Sequence, residues 1–397
     1  MALEATANIE QQQALRLIEQ QFDVRQRDEN ELSRAQLKPV VVRGEAGTGK
    51  SWLLMVAATR AHDAQLRVLV VTYTAVLADR YRCSLPFATV DTVHGALRLG
   101  VPGSNDQPRL LTFDLVIVDE AMLLPRSVFE ALMTAWDLVD RYPVLLLAGD
   151  EGQLQPWGNG ETCAPTTSSV WWRMAHEVKL WRPMRADDSY WPMLQHIRLQ
   201  RPTATLRREL IHDRVWTSSV AAFLTRFPGG LVVCISLRAA TDINDQTQAE
   251  LFPGRALRRC WLEEEGGRKL VQLHRQLRVM ITQNLDKRNS VVNGRFGAVE
   301  AVHTHTIEVV LPQGHVLIRR VHGDRPLPVF PLMRAYACTL TKVQGLTLPA
   351  ILIVPDVNGI PGAAYMALAR VRELGHAWWL RQPRPNFFVP SVAAHQW

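Results

Sequence analysis

The sequence has few cysteines, and their spacing excludes two classes of small, cross-linked fold. Five cysteines occur among 397 residues, at positions 83, 163, 234, 260 and 338, and no two of them form a CxxC pair. A disulfide framework and a zinc ribbon both depend on paired cysteines, so we exclude both and expect a reducing, intracellular environment. Nucleus and cytoplasm both remain open.

Long apolar runs are also missing. No run approaches the roughly 18–20 residues that cross a bilayer, and the N-terminal segment MALEATANIEQQQ lacks the basic-then-apolar layout of a secretory signal. We therefore expect no membrane partner.

The composition, with 47% hydrophobic and 21% charged residues, is that of a globular protein. The chain is also too long for one hydrophobic core, so we expect at least two domains.

Lysine is scarce, since only six of the 45 basic residues are lysine and the rest are arginine. Charge is unevenly distributed along the chain. Residues 1–150 hold 15 basic and 19 acidic side chains (net −4), whereas residues 151–397 hold 30 and 19 (net +11). A basic body favours a polyanionic partner such as nucleic acid. Codon bias toward arginine explains the composition equally well, so charge alone does not identify the partner.

A phosphate-binding motif follows a short β-branched run at residues 39–42. The segment Gly44-Glu-Ala-Gly-Thr-Gly-Lys50-Ser51 satisfies G-x-x-x-x-G-K-[ST] in full, and helix-forming residues follow it. In such a loop, backbone N–H groups turn toward phosphate oxygens at a helix N-terminus. Lys50 is placed to reach the β- and γ-phosphates, and the Ser51 hydroxyl to bind Mg²⁺. The predicted nucleotide-binding residues of the loop are Gly44, Gly47, Thr48, Gly49, Lys50 and Ser51.

Two further buried strands are predicted to end in polar side chains beside this loop. The run FDLVIVDE ends in Asp119, predicted to hold Mg²⁺, and Glu120, predicted to orient or deprotonate the hydrolytic water. The run PVLLLAGDEGQLQP carries Asp150, predicted to brace the loop, and Gln153, predicted to sense the γ-phosphate.

In this order the motifs resemble those of the superfamily 1B DNA helicases of the Pif/RecD type. The resemblance covers nearly the whole chain: a Q motif at 8–15, motif Ia at 71–80, TVHGAL at 92–97, motifs II and III at the two acidic strand ends, a finger-bearing stretch at 178–194, a barrel insertion at 279–299, motif V at 337–348 and motif VI at 365–373. Three departures occur. Motif V has Thr341 where the family has His, motif VI has Ala369 where the family has Ser, and motif Ia lacks Pro-Thr-Gly.

The resemblance implies roles for single residues. Gln11 would contact adenine, Arg185 and Arg370 would be arginine fingers, and Gly345 would belong to the nucleotide site. The implied DNA-binding residues are Thr92, His94, Thr339, Lys342 and Thr347. Arg372 is an alternative to Arg370, and an ordinary surface position is the alternative for His94 and Lys342. Among the tryptophans, Trp157 is the candidate for a DNA contact, whereas core positions are expected for Trp171, Trp172 and Trp181.

The expected fold is α/β, with two RecA-like P-loop domains and a small antiparallel, SH3-like β-barrel inserted in the second. We expect the first domain at 1–195, the second at 196–275 and 328–397, and the barrel at 276–327. Short alternating runs and the turn pairs Asn293-Gly294 and Gln313-Gly314 indicate that barrel.

The implied function is an ATP-dependent DNA helicase that uses ATP and Mg²⁺. It would move 5′ to 3′ on single-stranded DNA and unwind tailed duplex DNA, as a monomer, in DNA repair or recombination. Two alternatives stay open. One is a DNA-stimulated ATPase that binds or remodels DNA without processive unwinding, suggested by Thr341 and by the short segment between motifs Ia and II. The other keeps the ATPase but assigns it to RNA, or to the helicase module of a mobile element.

Overall fold

A computed structural model describes residues 7–26, 37–98, 112–137, 142–154, 170–254, 256–264, 267–321 and 328–395. The chain divides into two compact units, Met1–Leu199 with Pro390–Trp397, and Gln200–Val389. The first unit thus ends close to the predicted boundary at residue 195. Residues 390–397, which we predicted in the second domain, instead belong to the first unit, where the buried Ser391 hydroxyl donates to the Glu151 carbonyl oxygen at 2.8 Å.

The first unit alternates strands and helices, as the motif order predicts. Its strands are β1 (Val40–Gly44), β2 (Val68–Thr72), β3 (Thr89–Thr92), β4 (Leu115–Asp119), β5 (Val144–Gly149) and β6 (His176–Leu180). Its helices are α1 (Ile9–Gln26), α2 (Lys50–Asp63), α3 (Ala75–Ser84), α4 (Val93–Ala96), α5 (Arg126–Asp137), α6 (Val170–Met174) and α7 (Trp191–Leu199), with short 3₁₀ helices at Ala121–Leu123 and Val392–His395.

All six strands run parallel, in the order β3-β2-β4-β5-β1-β6. Their side chains alternate between two hydrophobic clusters, so both faces of the sheet are covered by helices. Val40 and Val42 pack on one face with α1, α2 and α3, whereas Val41 packs on the other face with α4 and α5. The predicted buried strands of this domain are confirmed, and their carboxyl ends place β1, β4 and β5 at one edge.

The second unit contains a smaller parallel sheet and an antiparallel insertion. Its helices are α8 (Ala204–Ile211), α9 (Val220–Arg226), α10 (Leu237–Leu251) and α11 (Ala363–Leu368), with 3₁₀ helices at Leu340–Val343, Leu374–His376 and Pro385–Phe387. Its strands are β7 (Leu231–Cys234), β8 (Arg258–Glu264), β9 (Gly267–Leu273), β10 (Arg278–Ile281), β11 (Phe296–Val302), β12 (Thr306–Leu311), β13 (Gly314–Arg319), β14 (Leu332–Arg334), β15 (Ala337–Thr339), β16 (Ile351–Val354) and β17 (Ala377–Trp379).

The parallel sheet of this unit has the order β15-β7-β16-β17. The predicted buried strands at 229–236 and 350–356 are its two central strands, β7 and β16. Their neighbours β15 and β17 follow the insertion and motif VI in the chain, so the sheet is completed by segments distant in sequence.

The insertion is larger than the sequence predicts. Its antiparallel sheet, ordered β13-β12-β11-β10-β14, begins at Arg278 and reaches Arg334, beyond the predicted end at 327. The hairpin β8-β9, which we placed in the second α/β domain, packs into the same hydrophobic cluster as that sheet. Leu262 of the hairpin also forms a β-bridge with Phe330. Shared apolar packing therefore extends the insertion on both sides of the predicted range.

In the part of the chain that the structure describes, none of the helices combines the length and the apolar character needed to cross a bilayer.

Candidate active site

The loop between β1 and α2 depends on its glycines. Gly47 and Gly49 have φ angles of 91° and 88°, in the left-handed region that favours glycine. At Gly44, a Cβ atom would lie 2.6 Å from the Thr48 hydroxyl and 2.9 Å from the Leu180 carbonyl oxygen, so any side chain would displace the loop. The fully buried Thr48 closes the turn by donating its hydroxyl proton to the Glu45 carbonyl oxygen at 2.9 Å.

Lys50 begins α2, and its ammonium group lies within this loop. Its Nζ donates to the carbonyl oxygens of Gly44, at 2.7 Å, and Glu45, at 3.0 Å. The side chain is buried. The cation is therefore held at the loop, where it is within reach of a phosphate that the loop binds.

Ser51 and Asp119 meet at the carboxyl edge of the sheet, as the motifs predict. The Ser51 hydroxyl donates to Asp119 Oδ2 at 3.0 Å. The Tyr81 hydroxyl donates to the same oxygen at 2.7 Å, and the Glu120 backbone N–H donates to Asp119 Oδ1 at 2.9 Å. Burial, and then the charge of Asp119, raise the pKa of Tyr81 well above its ordinary value, so its phenol stays protonated. The carboxylate is buried and hydrogen-bonded through both oxygens.

These two side chains suit a magnesium ion. Mg²⁺ is bound by oxygen ligands and usually by only one or two protein groups, with nucleotide phosphates and waters completing the octahedron. A serine hydroxyl and a carboxylate 3.0 Å apart beside the phosphate loop provide such a pair. The described residues contain no other kind of metal site, in the sense of a group of three or more His, Cys, Asp or Glu side chains that could hold a metal ion.

Glu120 follows Asp119 in a strained conformation. Its φ of 55° lies in the left-handed region, which carries a free-energy cost of about 1–3 kcal/mol for a residue with a side chain and is concentrated at functional sites. The residue caps the 3₁₀ helix Ala121–Leu123. Because Asp119 is the last residue of β4 and Glu120 follows it, both lie at the carboxyl end of this strand.

The turn after β5 is held by buried charges. Asp150 Oδ1 accepts hydrogen bonds from the Gly152 N–H at 2.9 Å and from Arg198 Nε, on α7, at 3.1 Å. Arg198 also contacts Glu151 at 3.4 Å. Asp150 therefore braces the turn that carries the buried Gln153, as the sequence predicts.

Arg43 joins the same network from the residue before the loop. It forms ion pairs with Glu151 and, at 2.7 Å, with Glu177. Burial lowers the pKa of Arg43 although Glu177 and Asp150 act in the opposite direction, and burial raises the pKa of the neighbouring Glu45. The sequence predicts a role for neither Arg43 nor Arg198. For Arg43 a signal was available, because it is the one charged residue in the otherwise apolar strand VVVRG.

Two predicted nucleotide-site residues lie against the loop from outside it. Gln11 Nε2 is 3.4 Å from the Thr48 carbonyl oxygen. At Gly47, a Cβ atom would lie 3.2 Å from Arg185 Cβ and 3.3 Å from Arg185 Nε. The Met184 N–H donates to the Gly47 carbonyl oxygen at 2.8 Å, which fixes this segment on the loop. The structure thus brings Gln11 and Arg185 to the site.

The helix that carries Gln11 begins in a capping box. The Gln11 N–H donates to Asn8 Oδ1 at 2.9 Å, and the Asn8 N–H donates to Gln11 Oε1 at 3.1 Å. Glu10 accepts hydrogen bonds from the N–H groups of Trp181 and Arg182, at 2.9 and 3.3 Å. The start of α1 and the segment after β6 are therefore tied together beside the loop.

The predicted DNA-binding residues of the first unit lie at the carboxyl end of β3. Thr92 caps α4, since its hydroxyl accepts from the Gly95 N–H at 3.3 Å. His94 is exposed, and its ring centroid is 6.2 Å from that of Tyr73. Thr92 thus has a structural role in addition to any DNA contact, and His94 is accessible.

The predicted DNA-binding residues of the second unit lie at the end of β15 and in the segment that follows it in the chain. Thr339 is buried, and its hydroxyl lies 3.1 Å from that of Thr341, while Lys342 is half-buried and Thr347 is exposed. Gly345 has a φ of 74°, which explains a glycine there.

The two candidate arginines of motif VI differ in exposure. Arg370 is buried, and it donates to the carbonyl oxygens of Met366 at 2.9 Å and Leu346 at 3.2 Å. Arg372 is exposed. The structure therefore gives Arg370 hydrogen bonds that tie motif VI to motif V within the second unit.

One tryptophan prediction is wrong. Trp172 is buried and Trp171 is half-buried, as expected for core residues, but Trp181 is 56% exposed. Trp181 directly follows the last residue of β6, in the segment that Glu10 holds, so it is not on a packed helical face. Trp157 lies outside the described residues.

Known proteins are similar to this chain in sequence and in fold. A family model described as an AAA domain matches residues 24–218. The human ATP-dependent DNA helicase PIF1 is 24% identical over 312 residues, which are 65% of this chain and 45% of the relative. The chain therefore spans less than half the length of that relative.

Solved Pif1 structures share the fold. A Pif1 helicase from Bacteroides, in complex with ADP-AlF3 and ssDNA, superposes with a TM-score of 0.70 at 19% identity and covers 95% of this chain and 94% of its own. Pif1 helicase from Candida albicans gives a TM-score of 0.73 at 17% identity, covering 98% and 97%. A structure of two coordinating Pif1 helicases at forked dsDNA gives 0.74 at 20% identity, covering 98% and 95%. The chain is therefore similar to an AAA domain over residues 24–218, and it shares the fold of solved Pif1 helicases over nearly its whole length.

Proposed function

We propose that this chain is an ATP-dependent DNA helicase that moves 5′ to 3′ along single-stranded DNA and separates duplex DNA. One observation carries the ATPase part of the proposal. The Ser51 hydroxyl at the end of the phosphate loop and the Asp119 carboxylate at the end of β4 are 3.0 Å apart, and Glu120 stands next to them. This is the set of groups that a P-loop ATPase needs for phosphate, metal and water.

Ser51 and Asp119 would hold Mg²⁺ in this function. The metal would neutralise charge on the phosphates of bound ATP. Lys50 is placed to bind the β- and γ-phosphates, and Glu120 to orient the attacking water and take its proton. Gln153, held in the turn that Asp150 braces, would sense the γ-phosphate.

Arginines would stabilise the charge that develops on the transferred phosphoryl group. Arg185 is the better candidate for this role, because its side chain lies against Gly47 of the phosphate loop. We propose Arg370 as the second finger, and its hydrogen bond to the Leu346 carbonyl oxygen would connect it to motif V. A finger is worth roughly 10³–10⁵ in rate in related phosphoryl transfers.

We propose that single-stranded DNA contacts Thr92 and His94 of the first unit and Thr339, Lys342 and Thr347 of the second. Exposed His94 and half-buried Lys342 are accessible to a backbone phosphate or a base. We further propose that the antiparallel sheet β10–β14 with the hairpin β8-β9 is the SH3-like barrel of the second domain, and that the protein works as a monomer. The solved Pif1 structures that bind ssDNA and forked dsDNA support DNA as the partner.

Strand displacement on tailed duplexes tests this function. The protein is mixed with ATP, Mg²⁺ and a duplex that carries either a 5′ or a 3′ single-stranded tail. We expect separation of the 5′-tailed duplex only. Glu120→Gln is the matched variant, because it keeps the shape of the side chain and removes the base. We expect it to bind DNA normally and to lose about 10²–10⁴-fold in turnover.

Strand separation, measured together with ATP turnover on the same duplexes, distinguishes this function from the alternative of a DNA-stimulated ATPase that binds or remodels DNA without processive unwinding. Thr341 motivates that alternative, because its hydroxyl lies 3.1 Å from that of Thr339, in motif V, where the family has histidine. DNA-stimulated turnover without separation of either duplex would establish it. Separation of the 3′-tailed duplex would contradict the proposed direction.

A further inference from the structure

Tyr81 connects α3 to the metal-binding carboxylate, although it belongs to none of the phosphate-contacting motifs. Its ring is buried in the cluster that covers one face of the first sheet. Its hydroxyl donates to Asp119 Oδ2 at 2.7 Å. An apolar residue would fill this core position as well, so the hydroxyl needs a separate explanation.

The bonds at Asp119 provide that explanation. The terminal torsion of an aspartate is broad, so the carboxylate plane is set by its hydrogen-bond partners. Oδ1 is held by the Glu120 N–H at 2.9 Å, and Oδ2 by the hydroxyls of Ser51 and Tyr81 at 3.0 and 2.7 Å. Ser51 would itself bind the metal, so its lone pairs are needed elsewhere. Tyr81 is then the side chain that holds Oδ2 without competing for the ion.

We propose that Tyr81 is a positioning residue, which fixes the carboxylate plane of Asp119 so that Asp119 and Ser51 face one Mg²⁺ ion together. This rests on the proposed function, since it concerns the metal of the same site. Groups that hydrogen-bond to a metal-binding carboxylate raise metal affinity by fixing its orientation, and their loss lowers that affinity about 10- to 100-fold.

Mg²⁺-dependent nucleotide binding tests the role without relying on turnover. A fluorescent ADP is titrated with the wild-type protein and with Tyr81→Phe, first in EDTA and then at increasing Mg²⁺ concentrations. We expect the two proteins to bind ADP within twofold of each other in EDTA. The Mg²⁺ concentration for half-maximal enhancement should rise about tenfold in Tyr81→Phe.

Tyr190→Phe is the control, because Tyr190 is an equally buried tyrosine of the same unit. It should leave the Mg²⁺ dependence unchanged. Thermal unfolding without nucleotide is measured in parallel, so that lost stability is distinguished from lost metal affinity. Tyr81→Leu, which also lacks the hydroxyl, replaces Tyr81→Phe if that variant does not fold.

Each remaining outcome has a defined meaning. A half-maximal Mg²⁺ concentration for Tyr81→Phe within twofold of wild type overturns the inference. Failure of both variants to fold also overturns it, because the Tyr81 hydroxyl would then be required for folding rather than for metal affinity. If the wild-type protein binds ADP without any dependence on Mg²⁺, the proposed function itself fails, and that result is separate from the other two.

Discussion

Two buried aspartates at opposite ends of β4 are held by different kinds of donor. Asp114 lies just before the strand and forms ion pairs with Arg25 at 2.7 Å and Arg67 at 3.1 Å. Asp119 ends the strand, and its partners are two hydroxyls and a backbone N–H. Among the described residues, no salt bridge involves Asp119. Its charge is therefore available to a cation, whereas that of Asp114 stabilises the fold.

Asp114→Asn should destabilise the first unit in a pH-dependent way. Burial alone would raise the pKa of Asp114, but hydrogen bonds from Arg67 and the charge of Arg25 outweigh it and lower the pKa. A lowered folded-state pKa stabilises the fold above the unfolded value, near 3.9, and the contribution is lost as pH falls through the folded value. Removing the charge leaves Arg25 buried without its carboxylate, which costs about 3–5 kcal/mol at pH 7.

Urea unfolding between pH 7 and pH 3 measures this effect. The difference in free energy of unfolding between wild type and Asp114→Asn should stay constant down to about pH 5 and shrink below about pH 4. The exposed Asp63, changed to Asn, is the control and should have little effect. A difference that grows as the pH falls would contradict the account.

At the scale of elements, buried ion pairs connect the turn after β5 to two distant segments. Arg198 reaches this turn from α7, and Arg43 reaches it from the end of β1. At Gly152 a Cβ atom would lie 2.6 Å from the Arg198 side chain, so the arginine packs directly on the turn. The position of Gln153 therefore depends on α7 as well as on its own strand.

Arg198→Met should affect both stability and catalysis. The change keeps the length of the side chain but leaves the buried Asp150 without its arginine, so we expect a loss of about 3–5 kcal/mol in the free energy of unfolding. ATP turnover should fall more than ATP affinity, because Gln153 would act on the γ-phosphate. Chemical unfolding and steady-state kinetics measure the two effects. The control is Arg80→Met, at an exposed position of α3, which should change neither stability nor turnover. An unchanged turnover in Arg198→Met would show that catalysis does not depend on the contact between α7 and this turn.

Gln11→Ala tests the start of α1 in the same manner. Loss of the capping box should cost about 1 kcal/mol of stability. If Gln11 also contacts adenine, the KM for ATP should rise about tenfold while the KM for GTP hardly changes. Gln12→Ala is the neighbouring control, since Gln12 is exposed. An equal rise of KM for both nucleotides would exclude an adenine contact.

Elements with a strong local signal were predictable from the sequence. The apolar runs that became β1, β4, β5, β7 and β16 are short, rich in Val, Ile and Leu, and buried on both faces, as parallel strands are. The extent of the insertion was not predictable in this way. Hairpin β8-β9 alternates between buried and exposed residues like any surface hairpin, and only its packing on Val279 and Phe330 shows where it belongs.

The candidate site also contains some residues that were predictable from a local motif and others that were not. Lys50, Ser51 and Asp119 were predictable, because the chemistry of each is contained in a contiguous motif. Tyr81 and Arg198 were not, because each acts on a segment 38 or 48 positions away in sequence, and only the fold brings them together. A tyrosine or an arginine in a helix has no local feature that distinguishes such a role.

At the scale of the whole molecule, the net charge of +7 should make DNA binding depend strongly on salt. Each phosphate neutralised on a single strand contributes about −0.7 to the slope of log K against log salt concentration. With about four such contacts, a fourfold increase in salt should weaken binding more than tenfold. Fluorescence anisotropy with a labelled oligonucleotide measures the slope. Lys342→Ala should reduce the magnitude of the slope by about 0.7, which is the contribution of one phosphate contact. A slope near zero would contradict a phosphate-binding surface.

The most direct test of the central claim is ATP turnover with and without single-stranded DNA, in wild type and in Lys50→Ala. Lys50 lies at the phosphate loop with its ammonium group 2.7 Å from the Gly44 carbonyl oxygen, so its loss should remove phosphate binding while leaving the sheet intact. We predict turnover that single-stranded DNA stimulates in the wild-type protein and that falls at least about 100-fold in the variant. Turnover that DNA does not change, or that survives in Lys50→Ala, would contradict the assignment of a DNA-dependent ATP motor.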